Sequence, residues 1–349
     1  MSMAPPLHYA RTTDGVTIAY TSDGRGSSTL VWLPPAPFSD VVAQYGIPLL
    51  RDVYTRLAAR LRLVLYDGRG SGHSQRDVAD LSLEAELRDL DAVVTDAGLT
   101  SFALLGYYHS VPLAIAYAAR HPGRVARLIL FGATARGQDV MSAPETQALL
   151  SLIERNWDLF VESAAHAWMG WGAGENGRLM ADMFRGASTP AVTRATMNAT
   201  AQTDVTAELP KVVAPTLVLQ SRNERQVPAA LVQGLAESLP NGRIGLLTGT
   251  AASLFADEPD ADLELILGFL TDAPPGERQP SALAHVDGLT PRELEVLRLV
   301  AEGETNAEIG LRLGLSVHTV ERHAANLYRK IGARGRADAT AYAVRRGLV

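Results

Sequence analysis

The most chemically suggestive stretch of the chain is Gly106-Tyr107-Tyr108-His109-Ser110, set between the apolar run of residues 102–106 and the helical text LAIAYAARHP of residues 113–122. A strand, a tight turn and a helix follow in immediate succession, and the turn between them carries the polar side chains of Tyr107, Tyr108, His109 and Ser110. A phenol has an unperturbed pKa of ~10 and is a poor nucleophile near neutral pH without a positioned base. His109 and Ser110 are consecutive on the first helical turn, so their side chains diverge by roughly 100° and do not make a nucleophile and base pair. What the segment offers is a set of polar contacts for a bound molecule. The chain has no cysteine, which excludes a thiolate nucleophile, a disulfide scaffold and Cys-ligated zinc. No cofactor and no metal set is expected.

A different chemistry is written near the other end. In VHTVERHAANLYRKIG, residues 317–332, Val320, Ala324, Leu327 and Ile331 fall on one helical stripe, and His318, Thr319, Arg322, His323, Asn326 and Arg329 on the opposite face. The net charge of -6 conceals an asymmetry: residues 285–349 carry +2 and the rest -8. Residues 322–349 hold seven basic residues and one acid, Asp338. That local excess is the footprint of a segment that approaches a polyanion; the plainer alternative is a solvated basic face on a terminal helix.

The elements that must position these residues follow from patterning. The chain has 349 residues, 47% hydrophobic and 20% charged, with mean hydropathy +0.03. That is the balance of a globular protein with one large and one small domain. No apolar run reaches the ~18 to 20 residues of a membrane span, and the start MSMAPPLHYARTTDG lacks the pattern of a secretory signal, so a cytoplasmic protein without membrane contact is expected. Apolar runs at residues 29–33, 63–67, 102–106, 127–132, 216–220 and 243–247 alternate with helical patterns, which predicts an α/β fold around a mostly parallel sheet. Residues 7–20, with the turn Thr13-Asp14-Gly15, predict an antiparallel hairpin leading into it.

Residues 133–214 show no strand pattern and hold Trp157, Trp168 and Trp171 with Met169, Met180, Met183 and Met197. A helical cap over about residues 138–212, lying on the carboxyl edge of the sheet, accounts for them. The loop YDGRGSGHS, residues 66–74, reads as turn chemistry, having neither dinucleotide glycine spacing nor a P-loop lysine. After Leu270 the text TDAPPGERQPSALAH, residues 271–285, breaks all periodicity with three prolines and a glycine. The expected organisation is a domain over 1–272, a linker over 273–284 and a small all-α domain over 285–349.

The corner at Gly106 to Ser110 resembles the nucleophile elbow of the α/β-hydrolase superfamily, which reads Gly-x-Ser-x-Gly. The alignment puts Tyr108 at the nucleophile position and Ser110 at the second glycine. A carboxylate survives as Glu224 ahead of Val227-Pro228, whereas Gly249-Thr250-Ala251-Ala252 puts Ala252 where the resemblance implies the general base. Pro34-Pro35-Ala36-Pro37 resembles the oxyanion-hole segment, with the Ala36 N–H left to donate because proline has none. A Ser-His-Asp site loses several powers of ten with one member gone, leaving ~10³ to 10⁴ over water. The expectation is therefore no catalytic residue and a pocket for a small apolar molecule. Its candidate contacts are Ala36, Tyr107, Tyr108, His109, Trp157, Trp168, Met169, Trp171 and Glu224. Three alternatives stay open: aromatics that fill the cap and leave no cavity, an esterase-like hydrolase with an atypical triad and a regulatory appendage, and a large domain that binds a protein partner and no small ligand.

Residues 285–349 resemble the LuxR-type helix-turn-helix domain of bacterial transcription regulators. The match is carried by Leu289-Thr290-Pro291-Arg292-Glu293, Val296-Leu297, Asn306, Glu308-Ile309, Leu313, Leu315-Ser316, Thr319-Val320, His323, Arg329-Lys330 and Arg336. Thr290 to Glu293 and Thr305 to Glu308 read as capping boxes, and Gly314-Leu315-Ser316 as the turn. The resemblance implies a recognition helix in the major groove of double-stranded DNA. It assigns base contacts to Glu321, Arg322 and Ala325, and backbone positioning to Thr319, His323, Asn326, Arg329 and Lys330; Val320 is counted with them. Glu321 departs from the basic residue usual there and favours a different operator, since a carboxylate accepts from cytosine. A homodimer is expected, because two such helices must reach half-sites ~34 Å apart. The small-residue face of residues 336–347 suits packing against a copy of itself. A small-molecule effector and RNA polymerase complete the expected partners.

Overall fold

Nearly continuous apolar text is what a strand covered on both faces requires, and the computed structural model builds its sheet from those runs. It describes residues 4–170, 173–221, 227–247, 253–256, 258–271, 291–313, 317–333 and 335–345. The chain divides into two compact units, Met1–Asp272 and Ala273–Val349.

In the first unit the strands are β1 (Leu7–Arg11), β2 (Thr17–Asp23), β3 (Thr29–Trp32), β4 (Arg62–Tyr66), β5 (Phe102–Tyr107), β6 (Val125–Phe131), β7 (Thr216–Ser221) and β8 (Gly242–Leu247). They form one sheet in the order β1-β2-β4-β3-β5-β6-β7-β8. The pairs β1/β2 and β2/β4 are antiparallel and the others parallel. All six expected runs are strands, shifted at their ends by no more than two residues, and the hairpin is present. Its turn closes with the Gly15 N–H donating to the Thr12 carbonyl at 2.9 Å, and Gly15 takes the left-handed φ of +85° that a side chain would oppose.

Helices α1 (Pro48–Ala58), α2 (Leu83–Asp96) and α3 (Val111–Arg120) connect the early strands. The Ser82 side chain caps α2 by accepting from the Ala85 N–H. The text of α3 is apolar nearly all round, and the helix is buried from Val111 to Ala118. Between β6 and β7 stand α4 (Gln138–Met141), α5 (Pro144–Leu150), α6 (Trp157–Met169), α7 (Gly174–Ala187) and α8 (Pro190–Gln202). Asn156 and Thr189 cap α6 and α8. Phe160, Met169, Met180, Met183, Phe184 and Met197 give this cap a core of its own. Helices α9 (Ala229–Ser238) and α10 (Pro259–Thr271) complete the unit.

The loop of residues 66–74 is a brace. Its Asp67 accepts from the backbone N–H groups of Val41 and His73 at 2.8 Å each. Arg69, with 2% of its side chain exposed, bonds Asp89 at 2.8 Å and Asp14 at 3.0 Å. The guanidinium holds the Asp14 carboxyl well below its ordinary range. The turn-chemistry expectation is met.

The second unit contains α11 (Pro291–Ala301), α12 (Asn306–Leu313), α13 (Val317–Ile331) and α14 (Arg336–Arg345). Val296, Leu297, Val300, Ile309, Val320, Ala324, Leu327, Ala339 and Ala343 form its core. The box at Thr305 is reciprocal: Glu308 accepts from the Thr305 N–H at 2.7 Å, and Thr305 Oγ1 accepts from the Glu308 N–H at 3.3 Å. Arg336 donates to the carbonyls of Val300 and Glu304, tying α14 to the end of α11. The expected linker 273–284, the cap at Thr290 and the turn at Gly314 lie outside the described residues. Among the described residues no helix is long and apolar enough to cross a membrane, and no group of three or more His, Asp or Glu side chains is gathered to hold a metal.

Candidate functional site

At the carboxyl end of β5 the chain turns within one short 3-10 turn, Tyr108–Ser110, into α3. Gly106 allows the approach, because a Cβ there would stand 2.8 Å from the Ala114 Cβ. Tyr108 carries φ +46°, a left-handed conformation that costs a bulky L residue roughly 1–2 kcal/mol. The corner therefore keeps the strained backbone of an elbow while displaying a phenol. The Tyr108 ring meets Tyr107 at 5.1 Å and Phe131 at 5.6 Å, both edge-on.

The nearby hydroxyl and imidazole do not form a reacting pair. Ser110 Oγ accepts from the Tyr107 N–H at 2.9 Å and donates to the Tyr107 carbonyl at 3.1 Å, so it is a buried cap for the turn. Burial lowers the His109 pKa to about 4, which leaves the ring neutral near pH 7. The Ala36 N–H, expected to remain as an oxyanion donor, is taken by the Pro34 carbonyl at 2.9 Å. That expectation is corrected: the proline-rich loop folds tightly enough to satisfy its own donor. Tyr107 Oη donates to Ser253 Oγ at 3.1 Å, closing the end of β5 against the residue that follows Ala252.

Above the elbow lies a cavity of about 240 Å³ between the turn and the cap, walled by Tyr108, His109, Phe38, Met141, Leu149, Phe160, Trp168, Phe184 and Met197 among others. A smaller chamber of about 50 Å³ is lined by Trp32, Gln44, Tyr54, Tyr66, Tyr107, Met180, Met183 and Ser253. Trp168 stands in the wall of both. Of the candidate contacts, Tyr108, His109 and Trp168 meet at the larger cavity and Tyr107 faces the smaller. Ala36 borders a separate void of about 20 Å³ beside Tyr66 and Ser110.

Two candidates are placed elsewhere. Met169 is 5% exposed inside the cap core, and Trp157 stacks on Phe160 at 5.4 Å without reaching either wall. Trp171, Glu224 and Ala252 lie outside the described residues. Phe38, Phe160, Phe184 and Leu149 are wall residues that the sequence did not single out. Their signal was at most the aromatic density of the cap and the Pro-Phe ending of the loop after β3.

On α13 the side chains of Glu321, Arg329 and Lys330 are exposed. Val320 is not on that surface: it is fully buried against its own domain with Ala324 and Leu327, because its stripe supplies the core. The side chains of Thr319, Arg322, His323, Ala325 and Asn326 lie outside the described set. On α14 the small face is likewise spent internally, since Ala339 and Ala343 are fully buried in the core they share with α11.

Residues 287–343 match the model of the bacterial regulatory proteins of the luxR family. This unit is a LuxR-type helix-turn-helix domain. The transcriptional regulatory protein LiaR of Bacillus subtilis is 46% identical to the chain over 69 residues, 20% of this chain and 32% of LiaR. The chain thus spans about a third of that relative. The larger unit is similar to the RutD protein of Caulobacter sp. (strain K31), named as a carbamate hydrolase, at 27% identity over 226 residues, 62% of this chain and 82% of RutD. An esterase from Exiguobacterium antarcticum superposes with a TM-score of 0.67 at 19% identity, covering 78% of this chain and all of the esterase. The chain joins a LuxR-type domain to an α/β-hydrolase fold, as both resemblances implied.

Proposed function

We propose that the chain is a transcriptional regulator whose hydrolase-like domain senses a small, largely apolar molecule without turning it over. The observation that carries this reading is the elbow itself. It keeps the left-handed corner of a nucleophile site, yet places Tyr108 there, beneath a cavity of about 240 Å³. The occupied Ala36 N–H and the capped Ser110 hydroxyl support it, since the first is not left to stabilise an oxyanion nor the second to attack an acyl carbon. The partners proposed are double-stranded DNA, a small-molecule effector, a second copy of the chain and RNA polymerase, in the cytoplasm. The effector acts only so far as it binds one DNA-binding arrangement better than another.

The likeness to RutD favours a second reading, a hydrolase with an unusual constellation. Two measurements on the full chain separate them. In the sensor reading a panel of activated esters is hydrolysed no faster by wild type than by Tyr108→Phe or Ser110→Ala. Salt-sensitive, sequence-selective DNA binding, measured by fluorescence anisotropy, is lost in Arg322→Ala and shifts on adding the effector. Ester turnover abolished by either substitution overturns the sensor reading; DNA binding indifferent to Arg322 overturns the regulatory one.

A further inference from the structure

We infer that the larger cavity takes a neutral aromatic molecule of about two fused rings with one hydrogen-bonding group, and that His109 is the residue that recognises that group. The inference rests on the proposed sensor function and adds the ligand class and the residue that selects it.

Size sets the first bound. A dry cavity of about 150 Å³ lined by apolar side chains accommodates benzene. At about 240 Å³ this one has room for a second ring. The walls set the second. Phe38 and Phe184 stack at 4.4 Å, and Trp168 leans on Phe184 at 5.4 Å, so flat faces and ring edges already line the space. A flat guest continues that offset packing, whereas a flexible chain loses rotamer freedom on entry.

Charge sets the third. Among the described residues the wall holds no lysine and no arginine, and its one acid, Glu145, is exposed. An anionic guest would shed its hydration with no counterion and with a like charge near, which is costly. His109 is the one imidazole in the wall. Held neutral by burial, it presents one N–H and one lone pair. It therefore pairs with a hydroxyl, a carbonyl or a ring nitrogen and gives no attraction specific to a carboxylate.

The test compares three probes of one skeleton at pH 7 on the full-length wild-type protein, by calorimetry and thermal shift: 2-naphthol, naphthalene and 2-naphthoate. The expected order is 2-naphthol tightest, naphthalene about fivefold to tenfold weaker for the lost hydrogen bond, and 2-naphthoate weakest. His109→Leu should bring 2-naphthol down to naphthalene, and His109→Gln should restore most of the difference. Binding of 2-naphthoate as tight as 2-naphthol, or a 2-naphthol preference unchanged in His109→Leu, overturns the inference while leaving the cavity a ligand site. The wild-type probe series needs no variant to fold. Absence of binding by all three probes overturns the inference. Tight 2-naphthol binding that leaves DNA affinity, read by anisotropy, equal to that of the free protein would instead keep the ligand class and overturn the sensor proposal.

Discussion

The ring of Tyr108 occupies the space that a side chain at position 132 would need: a Cβ built on Gly132 would stand 2.4 Å from Tyr108 Cε1. Gly132 also carries φ +62°, so glycine is demanded twice, once by the backbone and once by the neighbouring phenol. Gly132→Ala should lower stability by about 2–4 kcal/mol, combining overpacking with left-handed strain. In a Tyr108→Ala background the steric part vanishes and the cost should fall to about 1–2 kcal/mol. Urea unfolding of the four proteins in this cycle checks it; equal costs in both backgrounds would show that the ring is not the obstacle.

Arg69 and Asp89 form a pair with side-chain exposures of 2% and 1%. Arg69→Ala leaves Asp89 as an uncompensated buried carboxylate and should cost about 3–5 kcal/mol. Arg185 touches three carboxylates, Asp158, Asp182 and Glu162, but at the surface. Arg185→Ala should change stability by less than about 1 kcal/mol. Chemical denaturation of both variants at the same ionic strength tests the contrast.

The hydroxyl of Tyr66 is buried with no hydrogen-bond partner. A buried donor left unmade costs about 1–3 kcal/mol, so Tyr66→Phe, which keeps the ring, should be neutral or stabilising by up to about 1 kcal/mol. A clear fall in melting temperature would indicate that a water in the adjoining voids bonds this hydroxyl.

Burial, reinforced by the charge of Asp89 and opposed by Arg69, pushes the Glu86 carboxyl up from 4.5 to about 8. The native state thus favours its protonated form. That stability is present in full below about pH 4.5 and is lost as pH rises through about 8. Asp67, pushed up to about 7 mainly by burial, acts in the same direction. His109 acts oppositely: its value is depressed from 6.5 to about 4, so the native state loses stability as pH falls through that window. Glu86→Gln should melt close to wild type at pH 5 and above it at pH 8.5. An unchanged difference across that range would count against a buried carboxyl at this position.

If the LuxR-type domain meets DNA through α13, Arg329→Ala should weaken binding to all sequences alike and reduce the slope of log affinity against log salt by about 1. Anisotropy titrations between about 50 and 200 mM salt give both quantities. A loss confined to one operator would instead assign Arg329 a base contact.

The sequence by itself determined what is local or periodic. Alternation and apolar runs placed the hairpin and the strands, and the spacing of Thr305 and Glu308 marked a helix start that the hydrogen bonds bear out. The match over 287–343 was equally legible, because many residues at set intervals carry it. Tertiary structure alone decided which groups are still available. Ala36 was legible as the one donor in a run of prolines, but only the path of the loop shows that the Pro34 carbonyl accepts its hydrogen bond. Val320, Ala339 and Ala343 were legible as small or apolar faces, and only packing shows that they serve their own core. The cavity walls, Phe38 and Phe184 above all, come from segments far apart in the chain. A period in the text states which way a side chain points from its own element; whether it meets a partner, a void or solvent depends on the elements brought opposite it.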